Sequence, residues 1–473
     1  MPRLAGILVP GALALLGLVL VVLWISGPVP SLQARIPGLD RVPVGGPVTK
    51  AARPVPGQPV LGDGRPSAVR SNWPCFRGPD YDAVSKEHVR LARSWPSGGP
   101  KRLWTVTLGE GYAAAAVSAG CVYVLDHVRN VTPGGKDLSA DTMRCLSLDD
   151  GREIWHNGYP VVVSPHHGMS RTIPAVAGKD VVSLGPLCQV ACWDAEGGRA
   201  HWLIDLVLDY GATVPPWYAG QCPLIDTVND RLILAPGGRA LLVAVDYHTG
   251  KVIWESPNPR GWTMTHVSIV PMNLAGRRMY VYCGKGGVAG VDAADGKILW
   301  DTTDWQIGTA TCPSPVVLGD GRVFCSGGYN AGSLMLKVEE QGGRMVARTL
   351  FRLAAKQFGS EQQTPILWDG HLYGVRQKDQ KLVCLDLQGK EMWNSGRDKF
   401  GSAPYLIADG LLYAMNDDGL LVMATATAEG YQPLGRAQVI DDAVTSWGPM
   451  ALVAGRLIVR DLTRMVCLDV AEQ

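Results

Sequence analysis

The sequence of 473 residues lacks the short motifs that mark several common chemistries. Its 11 cysteines include no Cys-x-x-Cys pair for zinc and no Cys-x-x-Cys-His haem signature. It has no Gly-x-Ser-x-Gly elbow and no phosphate-binding loop. Only 18% of residues are charged, the net charge is +1, and no lysine or arginine run stands out. Because nucleic-acid binding depends on neutralising phosphates, we expect no nucleic-acid partner.

Turn-forming residues are abundant instead, with 57 glycines and 33 prolines in a chain that is 47% hydrophobic. This composition is typical of a globular, β-rich protein with many turns. The chain is long enough to bury a large core within one domain.

One pattern recurs: an apolar residue, Asp, a few variable residues, Gly, often a basic residue, and a Trp that ends a short strand. The clear copies are Asp149 with Trp155, Asp194 with Trp202, Asp246 with Trp254, Asp292 with Trp300, and Asp386 with Trp393. Weaker copies lead from Lys337 to Phe351, from Thr425 to Leu434, and to a final Asp469 with no Trp after it.

The missing last Trp is found before the first copy, as Trp104 in the segment Lys101–Val106. Eight units of about 45 residues predict an all-β, eight-bladed β-propeller of four-stranded blades. The first strand would then complete the last blade and remove a free sheet edge. The alternative is a generic β-sandwich with turns at regular spacing.

Each motif residue has a physical role. Asp and Gly form a tight turn, since Asp accepts backbone hydrogen bonds and Gly tolerates positive φ. We expect the Trp ring to dock between neighbouring blades, where its burial contributes roughly 4–6 kcal/mol before entropy. Cys192, Cys384 and Cys467 stand two residues before the motif Asp and are predicted to be small core residues. A Cys188–Cys192 disulfide is the alternative in an oxidising compartment.

The repeat resembles that of the pyrroloquinoline-quinone (PQQ)-like propeller superfamily over residues 101–473. The superfamily contains quinoprotein dehydrogenases, and also noncatalytic members such as the propeller scaffold of the outer-membrane assembly machinery. The segment Asn72–Pro79 resembles a Trp-x-x-Phe-Arg-Gly-Pro lead-in that is common in planctomycete-type bacteria. The resemblance is strong evidence for the fold and weak evidence for function.

The N-terminus carries an uncharged apolar run of 22 residues, Leu4–Ile25. This run is long enough to cross a bilayer and has no Ala-x-Ala cleavage site after it. We predict an uncleaved signal anchor, a single-pass transmembrane helix over residues 1–27, with the propeller on the extracytoplasmic side. A cleaved signal peptide and a buried core helix are the alternatives.

Two segments separate this anchor from the repeats. Residues 28–71 are rich in proline and glycine and are predicted to form an extended linker. Residues 72–100 are predicted to form a cap on the propeller, because Trp73, Phe76 and Trp95 need a surface to cover them.

The segments that lead into the innermost strands of a propeller crowd one end of its channel. Here they carry six candidate ligand-binding residues, namely Arg171, Gln221, His266, Glu361, Gln362 and Trp447. Convergent polar and aromatic groups make this mouth the candidate binding site. The alternative is that these groups hydrogen-bond one another and plug the channel.

Resemblance to quinoprotein dehydrogenases would imply an adjacent Cys-Cys disulfide, a Glu/Asn pair on Ca²⁺ and an Asp base. The sequence has no Cys-Cys dipeptide, and no matching Asn accompanies Glu361. The pair His166–His167 is interpreted as solvated or structural rather than as a metal site. We therefore predict no catalytic residue, no metal and no cofactor, with PQQ and Ca²⁺ as the alternative.

These observations predict a monomeric, membrane-tethered binding or scaffolding module that is not an enzyme. Its partner would be a protein or a cell-envelope polymer, bound at the channel mouth or at the outer blade edges. The alternatives are a divergent PQQ-dependent oxidoreductase and a purely structural envelope protein.

Overall fold

The computed structural model describes residues 15–22, 52–130, 138–163 and 170–472. The chain divides into two compact units, Met1–Pro47 and Val48–Gln473. In the first unit, residues 15–22 form helix α1. Across the described ranges, no helix is both long and apolar enough to span a membrane. The anchor is predicted over residues 1–27, and its remaining residues, 1–14 and 23–27, lie outside the described residues.

The described residues of the second unit form eight sheets, each with four antiparallel blade strands, so the prediction of an all-β, eight-bladed propeller is confirmed. Three strands precede blade 1 in the sequence: β1 (Val60–Leu61), β2 (Val84–Ser85) and β3 (Lys101–Thr107). Blades 1 to 4 contain β4 (Ala116–Ser118), β5 (Cys121–Val128), β6 (Ala140–Ser147), β7 (Glu153–Pro160); β8 (Ala175–Ala177), β9 (Asp180–Leu184), β10 (Gln189–Asp194), β11 (Ala200–Asp205); β12 (Leu224–Asp226), β13 (Arg231–Leu234), β14 (Ala240–Val245), β15 (Val252–Pro257); and β16 (Val270–Leu274), β17 (Arg277–Gly284), β18 (Gly287–Asp292), β19 (Ile298–Thr302).

Blades 5 to 8 contain β20 (Val316–Val317), β21 (Arg322–Gly327), β22 (Gly332–Gln341), β23 (Arg344–Leu353); β24 (Ile366–Trp368), β25 (His371–Arg376), β26 (Lys381–Leu385), β27 (Glu391–Asn394); β28 (Tyr405–Ala408), β29 (Leu411–Met415), β30 (Leu420–Thr425), β31 (Pro433–Gln438); and β32 (Gly448–Val453), β33 (Arg456–Arg460), β34 (Arg464–Asp469). A short helix, α2 (Leu206–Tyr210), follows blade 2.

The first strand closes the ring, as predicted. Strand β3 pairs antiparallel with β34, which places Trp104 opposite Cys467. The inner strand β32 lies beside β4 of blade 1. Blade 8 therefore has four strands, β3 together with β32, β33 and β34. Its inner strand contacts those of blades 7 and 1, so the ring has no gap.

The motif Trp residues dock on the next blade through a repeated contact. Five of the six indole Nε1 atoms donate to a turn carbonyl of the following blade: Trp104 to Leu148, Trp155 to Ala195, Trp202 to Tyr247, Trp254 to Ala293 and Trp393 to Thr427. The ring also packs on the motif glycine of that turn. For example, Gly151 has φ of 72°, and a Cβ there would lie 3.0 Å from the Trp104 ring.

Strand register explains the small residue before each motif Asp. Cys192 is the cross-strand partner of Trp202, Cys384 of Trp393, and Cys467 of Trp104. A small side chain is needed there because the indole occupies the space opposite. These cysteines are buried free thiols. Cys188 is also buried, and its Sγ lies 3.8 Å from Met264 Sδ, so the structure supports the interpretation of these cysteines as core residues.

One degenerate copy and one clear copy depart from the predicted pattern. In blade 7 the cross-strand register puts Gly435, not Leu434, at the Trp position, opposite Met423. In blade 4 the indole of Trp300 donates to Met279 Sδ of its own blade at 3.3 Å. Blade 5 offers no turn there, because its hairpin continues as a ladder through Lys337 and Val338.

The predicted linker, residues 28–71, is too long at its C-terminal end. From residue 52 the chain lies along the edge of blade 1, where β1 pairs with β7 through Leu61 and Trp155. Gly64 donates to the carbonyl of Glu153 at 2.9 Å. A Cβ on Gly64 would lie 2.5 Å from the carbonyl oxygen of Arg152, so glycine permits this close approach. The first half of the linker, up to residue 51, lies outside the described residues.

Candidate functional site

The segment from Trp73 to Ser85 crosses the inner strands of the blades and fills the axis of the ring. Trp73 and Val117 of β4 exchange two backbone hydrogen bonds of 2.8 Å. Strand β2 pairs in parallel with β28, the inner strand of blade 7. We call residues 73–85 the plug. It belongs to the segment predicted as a cap, residues 72–100.

Arg77 holds the plug in place. Its guanidinium donates to the carbonyls of Thr364 and Pro365, at 2.7 and 2.9 Å, and to those of Tyr81 and Asp82 within the plug. Arg77 has φ of 66°, a conformation that costs a non-glycine residue energy. Burial lowers its pKa to about 10. A buried cation that satisfies four carbonyls fixes the neighbouring Phe76 across the axis.

Above Phe76 the structure contains a cavity of about 290 Å³. Its lining includes Arg171, His266, Glu361, Gln362 and Trp447, which are five of the six residues predicted for the channel mouth. Phe76 also lines this cavity, so the plug forms part of its wall. We call this cavity the mouth pocket.

Gln221 is the exception among the predicted mouth residues. It is fully buried, and its amide pairs with the backbone of Ala235: Oε1 accepts from the amide nitrogen at 2.9 Å. Gln221 therefore supports the end of β13, the second strand of blade 3, and is not part of the pocket lining. The sequence could not show this, because the residue before it, Gly220, does line the pocket.

A belt of hydrogen bonds joins neighbouring blades around the pocket. The backbone nitrogens of Ile173, Cys222, Ser268 and Ser314 each donate to a side chain of the next blade. The acceptors are Cys222 Sγ, Ser268 Oγ, Ser314 Oγ and Thr364 Oγ1, at 3.3, 3.0, 3.1 and 2.8 Å. Sequence reasoning missed this belt, although its positions recur with the same period as the blades. It gives the pocket a rigid base.

Aromatic rings form much of the pocket wall. Tyr112 and Trp447 lie with ring centroids 5.1 Å apart, and Trp217 and Tyr329 stack at 6.5 Å with an interplanar angle of 9°. Trp217 and Tyr329 have φ of 58° and 54°. Bulky residues rarely adopt this conformation, and such strain persists where the surroundings impose it, often at functional sites.

One cation and one anion face the pocket from opposite sides of the ring. Arg171 precedes the inner strand of blade 2, and Glu361 precedes that of blade 6, four blades away. Arg171 lies 5.9 Å from the centroid of Tyr112, and burial lowers its pKa to about 10. Glu361 Oε2 accepts from Ser402 Oγ at 3.3 Å.

Other polar groups are held by backbone or side-chain partners. His266 Nε2 lies 2.8 Å from the carbonyl oxygen of Pro216. Trp447 Nε1 donates to Asp417 at 2.8 Å, and burial raises the pKa of this carboxyl group. Burial also raises the pKa of the Cys312 thiol to about 12, so this pocket cysteine is a poor nucleophile near neutral pH.

The donor atoms do not fit a calcium-bound quinone. Among the described residues that line the pocket, Glu361 is the one carboxylate, and Cys222 and Cys312 come from different blades. Within residues 15–22, 52–130, 138–163 and 170–472, no three His, Cys, Asp or Glu side chains form a group that could hold a metal ion. The pair His166–His167 lies outside the described residues.

A family model described as outer membrane protein assembly factor BamB matches residues 139–395, more than half of the chain. The chain belongs to this family. No curated protein sequence matches it. The BamB family thus accounts for the PQQ-like repeat recognised in the sequence.

Solved structures share the fold at low identity. BamB from Moraxella catarrhalis is 14% identical, with 78% of this chain and 99% of that chain covered and a TM-score of 0.49. The computationally designed protein Ika8 is 10% identical, with the same coverage and a TM-score of 0.51. Quinohemoprotein alcohol dehydrogenase from Comamonas testosteroni is 13% identical, with 85% and 81% covered and a TM-score of 0.42. At these identities the likeness concerns the fold alone.

Proposed function

We propose that this chain is a noncatalytic binding module that takes one group of a protein or cell-envelope polymer into the mouth pocket. The observation that carries the proposal is the pair of strained aromatic residues, Trp217 and Tyr329, stacked at the pocket wall. A channel that were merely plugged would need no strained rings at its surface. The energy cost of these two backbone conformations is explained if the rings bind a ligand.

The size and lining of the pocket define the inserted group. A cavity of about 290 Å³ is at the small end of ligand pockets. It suits one side chain or one sugar ring rather than a large cofactor. Aromatic walls bind flat or apolar surfaces. Arg171 and Glu361 add one charge of each sign, so a group with polar substituents on both sides is favoured over a wholly apolar one.

The proposed location is extracytoplasmic, with the propeller tethered to the cell membrane as a single-pass protein. The support is the apolar run Leu4–Ile25. A partner in the cell envelope, protein or polymer, agrees with this location. We further propose that the chain acts as a monomer.

Photo-cross-linking from within the pocket tests the proposal. A photoreactive residue replaces Gln362 in the pocket, or Met392 on the exposed edge of blade 6 as the control position. We expect a discrete adduct in membranes from position 362 only, reduced several-fold by Arg171→Gln or Glu361→Gln. Arg348→Gln on blade 5 is the matched control. Equal adducts from both positions would instead indicate binding at the outer edges.

The alternative is a divergent PQQ-dependent oxidoreductase, and it makes a different prediction. Absorbance and metal analysis of the purified propeller, with PQQ and Ca²⁺ added, would then show stoichiometric quinone. The single carboxylate of the pocket lining, Glu361, supports the expectation of no stable quinone complex.

A further inference from the structure

Two cysteines face each other across the boundary between blades 4 and 5. Cys283 is in β17 and Cys325 is in β21, and their Sγ atoms lie 3.9 Å apart. Each side chain is 1% exposed. Both are free thiols in this structure. The contact joins two sheets, because β17 belongs to blade 4 and β21 to blade 5. The two cysteines are 42 residues apart in sequence.

The same boundary lacks the indole contact that joins five other pairs of neighbouring blades. The indole N–H of Trp254 reaches the carbonyl of Ala293 in the next blade, whereas that of Trp300 bonds Met279 Sδ within blade 4. The Trp300 ring also packs over Gly290 of its own blade. Blade 5 presents a continuous hairpin in place of the motif turn, so the Trp300 N–H finds no turn carbonyl there.

Hydrogen bonds and apolar packing join the two blades in the absence of this indole contact. The backbone nitrogen of Ser268 donates to Ser314 Oγ at 3.1 Å, and at the periphery Thr349 Oγ1 donates to Asp304 at 2.6 Å. Cys283 and Cys325 belong to one buried cluster that also contains Trp305, Ile307 and Leu334. A disulfide would add a directional bond to this apolar part of the boundary.

We propose that Cys283 and Cys325 form a disulfide that joins blade 4 to blade 5 when the chain folds in an oxidising compartment. This inference rests on the proposed extracytoplasmic location. The change needed is a shortening of the Sγ–Sγ separation from 3.9 Å to the covalent length of about 2.05 Å. Rotation of the two side chains about Cα–Cβ is the motion that would bring the sulfur atoms together.

The chemistry is thiol–disulfide exchange with an oxidant disulfide, either oxidised glutathione or a protein oxidant. The thiolate of one cysteine attacks the oxidant and displaces one of its thiols, forming a mixed disulfide. The second cysteine then displaces the other oxidant thiol. Two protons leave the cysteines and two electrons pass to the oxidant, which becomes a dithiol or two thiols.

The order of events follows from burial. The hydrogen bond with Cys325, together with burial, raises the pKa of Cys283 well above its usual range. A thiol that rarely ionises and that no oxidant can reach reacts slowly. The bond must therefore form during folding, before blades 4 and 5 close on each other, and it is then protected from reductants.

Refolding of the full chain from denaturant with reduced and oxidised glutathione tests the inference. We expect peptide mass spectrometry without reduction to find the Cys283 and Cys325 peptides joined, with the loss of two hydrogens. Oxidation should raise the thermal midpoint by several degrees. Cys283→Ala and Cys325→Ala should each abolish that rise, and the double variant should add nothing further.

Cys467→Ala is the matched control, since Cys467 is buried opposite Trp104 and should leave the oxidation-dependent rise intact. The inference is overturned if the refolded protein has a native circular-dichroism spectrum without the cross-link. It is also overturned if Cys121 and Cys145 of blade 1 pair in its place. Cross-linking from Gln362 in reduced protein is independent of this bond, so the failure of either proposal can be told from the failure of the other.

Discussion

Trp95 occupies the space that a side chain on Gly435 would fill. A Cβ on Gly435 would lie 3.1 Å from the Trp95 ring, and Gly435 stands at the Trp position of blade 7. The indole also stacks on Tyr413, with centroids 6.3 Å apart. In blade 6 the motif Trp393 makes the corresponding contact with Tyr373, at 5.9 Å. The segment before the ring thus supplies the indole that blade 7 lacks.

Trp95→Ala should therefore destabilise the propeller although it lies outside the repeats. We expect a loss of about 2–4 kcal/mol in the free energy of unfolding, because a large, partly buried aromatic group is removed. Denaturant midpoints measured by circular dichroism would show it. Tyr329→Ala removes a ring from the pocket wall and is the control, with a smaller effect expected. Equal losses would contradict a special role for Trp95.

Replacing Trp155 by Phe isolates the hydrogen bond between blades 1 and 2. The ring stays apolar, but the indole donor to the Ala195 carbonyl is lost, and the Tyr123 hydroxyl remains as a donor to that carbonyl at 3.1 Å. We expect the loss of this one hydrogen bond to cost about 0.5–1.5 kcal/mol. Trp300→Phe is the matched control, since its N–H contacts only a sulfur atom of its own blade. The difference between the two variants in denaturant unfolding measures the cross-blade bond, and no difference would refute it.

Gly198→Ala should be more damaging than Gly178→Ala. Both glycines have positive φ, 72° and 56°, so both variants carry a backbone cost of about 1–2 kcal/mol. At Gly198 the added Cβ would also clash with the Trp155 ring, at 2.4 Å from the nearest ring atom, whereas a Cβ on Gly178 would face open space. We expect about 1–3 kcal/mol more from this overpacking. Thermal unfolding of the two variants side by side would test it, and equal midpoints would show that the docking adapts.

Acid should weaken the propeller through Asp226. Burial alone would raise the pKa of this carboxyl group, but hydrogen bonds from Arg278, Tyr280 and Asn229 outweigh it and lower the pKa to about 2. Because the folded pKa lies below the ordinary value of 3.8, the stabilisation is present above pH 4. This stabilisation, roughly 2 kcal/mol in the free energy of unfolding, is lost as the pH falls toward 2.

Asp226→Asn tests this pH dependence. The variant should be less stable at neutral pH and should show a flatter loss of stability between pH 4 and pH 2 than the unmodified protein. Urea unfolding at several pH values provides the measurement. The prediction is wrong if both proteins lose stability in parallel over that interval.

Much of the fold followed from repeated short-range signals. The Asp–Gly turns and Trp strands recur with a nearly constant period, and this period sets the number of blades and the closing role of the strand that carries Trp104. The same period identified five lining residues of the mouth pocket. Gln221 could not be separated from them, since one residue along an irregular segment changes a side chain from facing a cavity to supporting a wall.

The sequence by itself determined the ring: eight blades, the strand that closes them, and the end at which polar and aromatic residues gather. The tertiary structure decided what fills the ring and its irregular places. Arg77 and Phe76 close the axis, Trp95 completes blade 7, and Cys283 meets Cys325. These contacts join segments that are far apart in the chain and follow no period. These contacts depend on complementary shape and on backbone carbonyls that are brought together only when the blades have assembled.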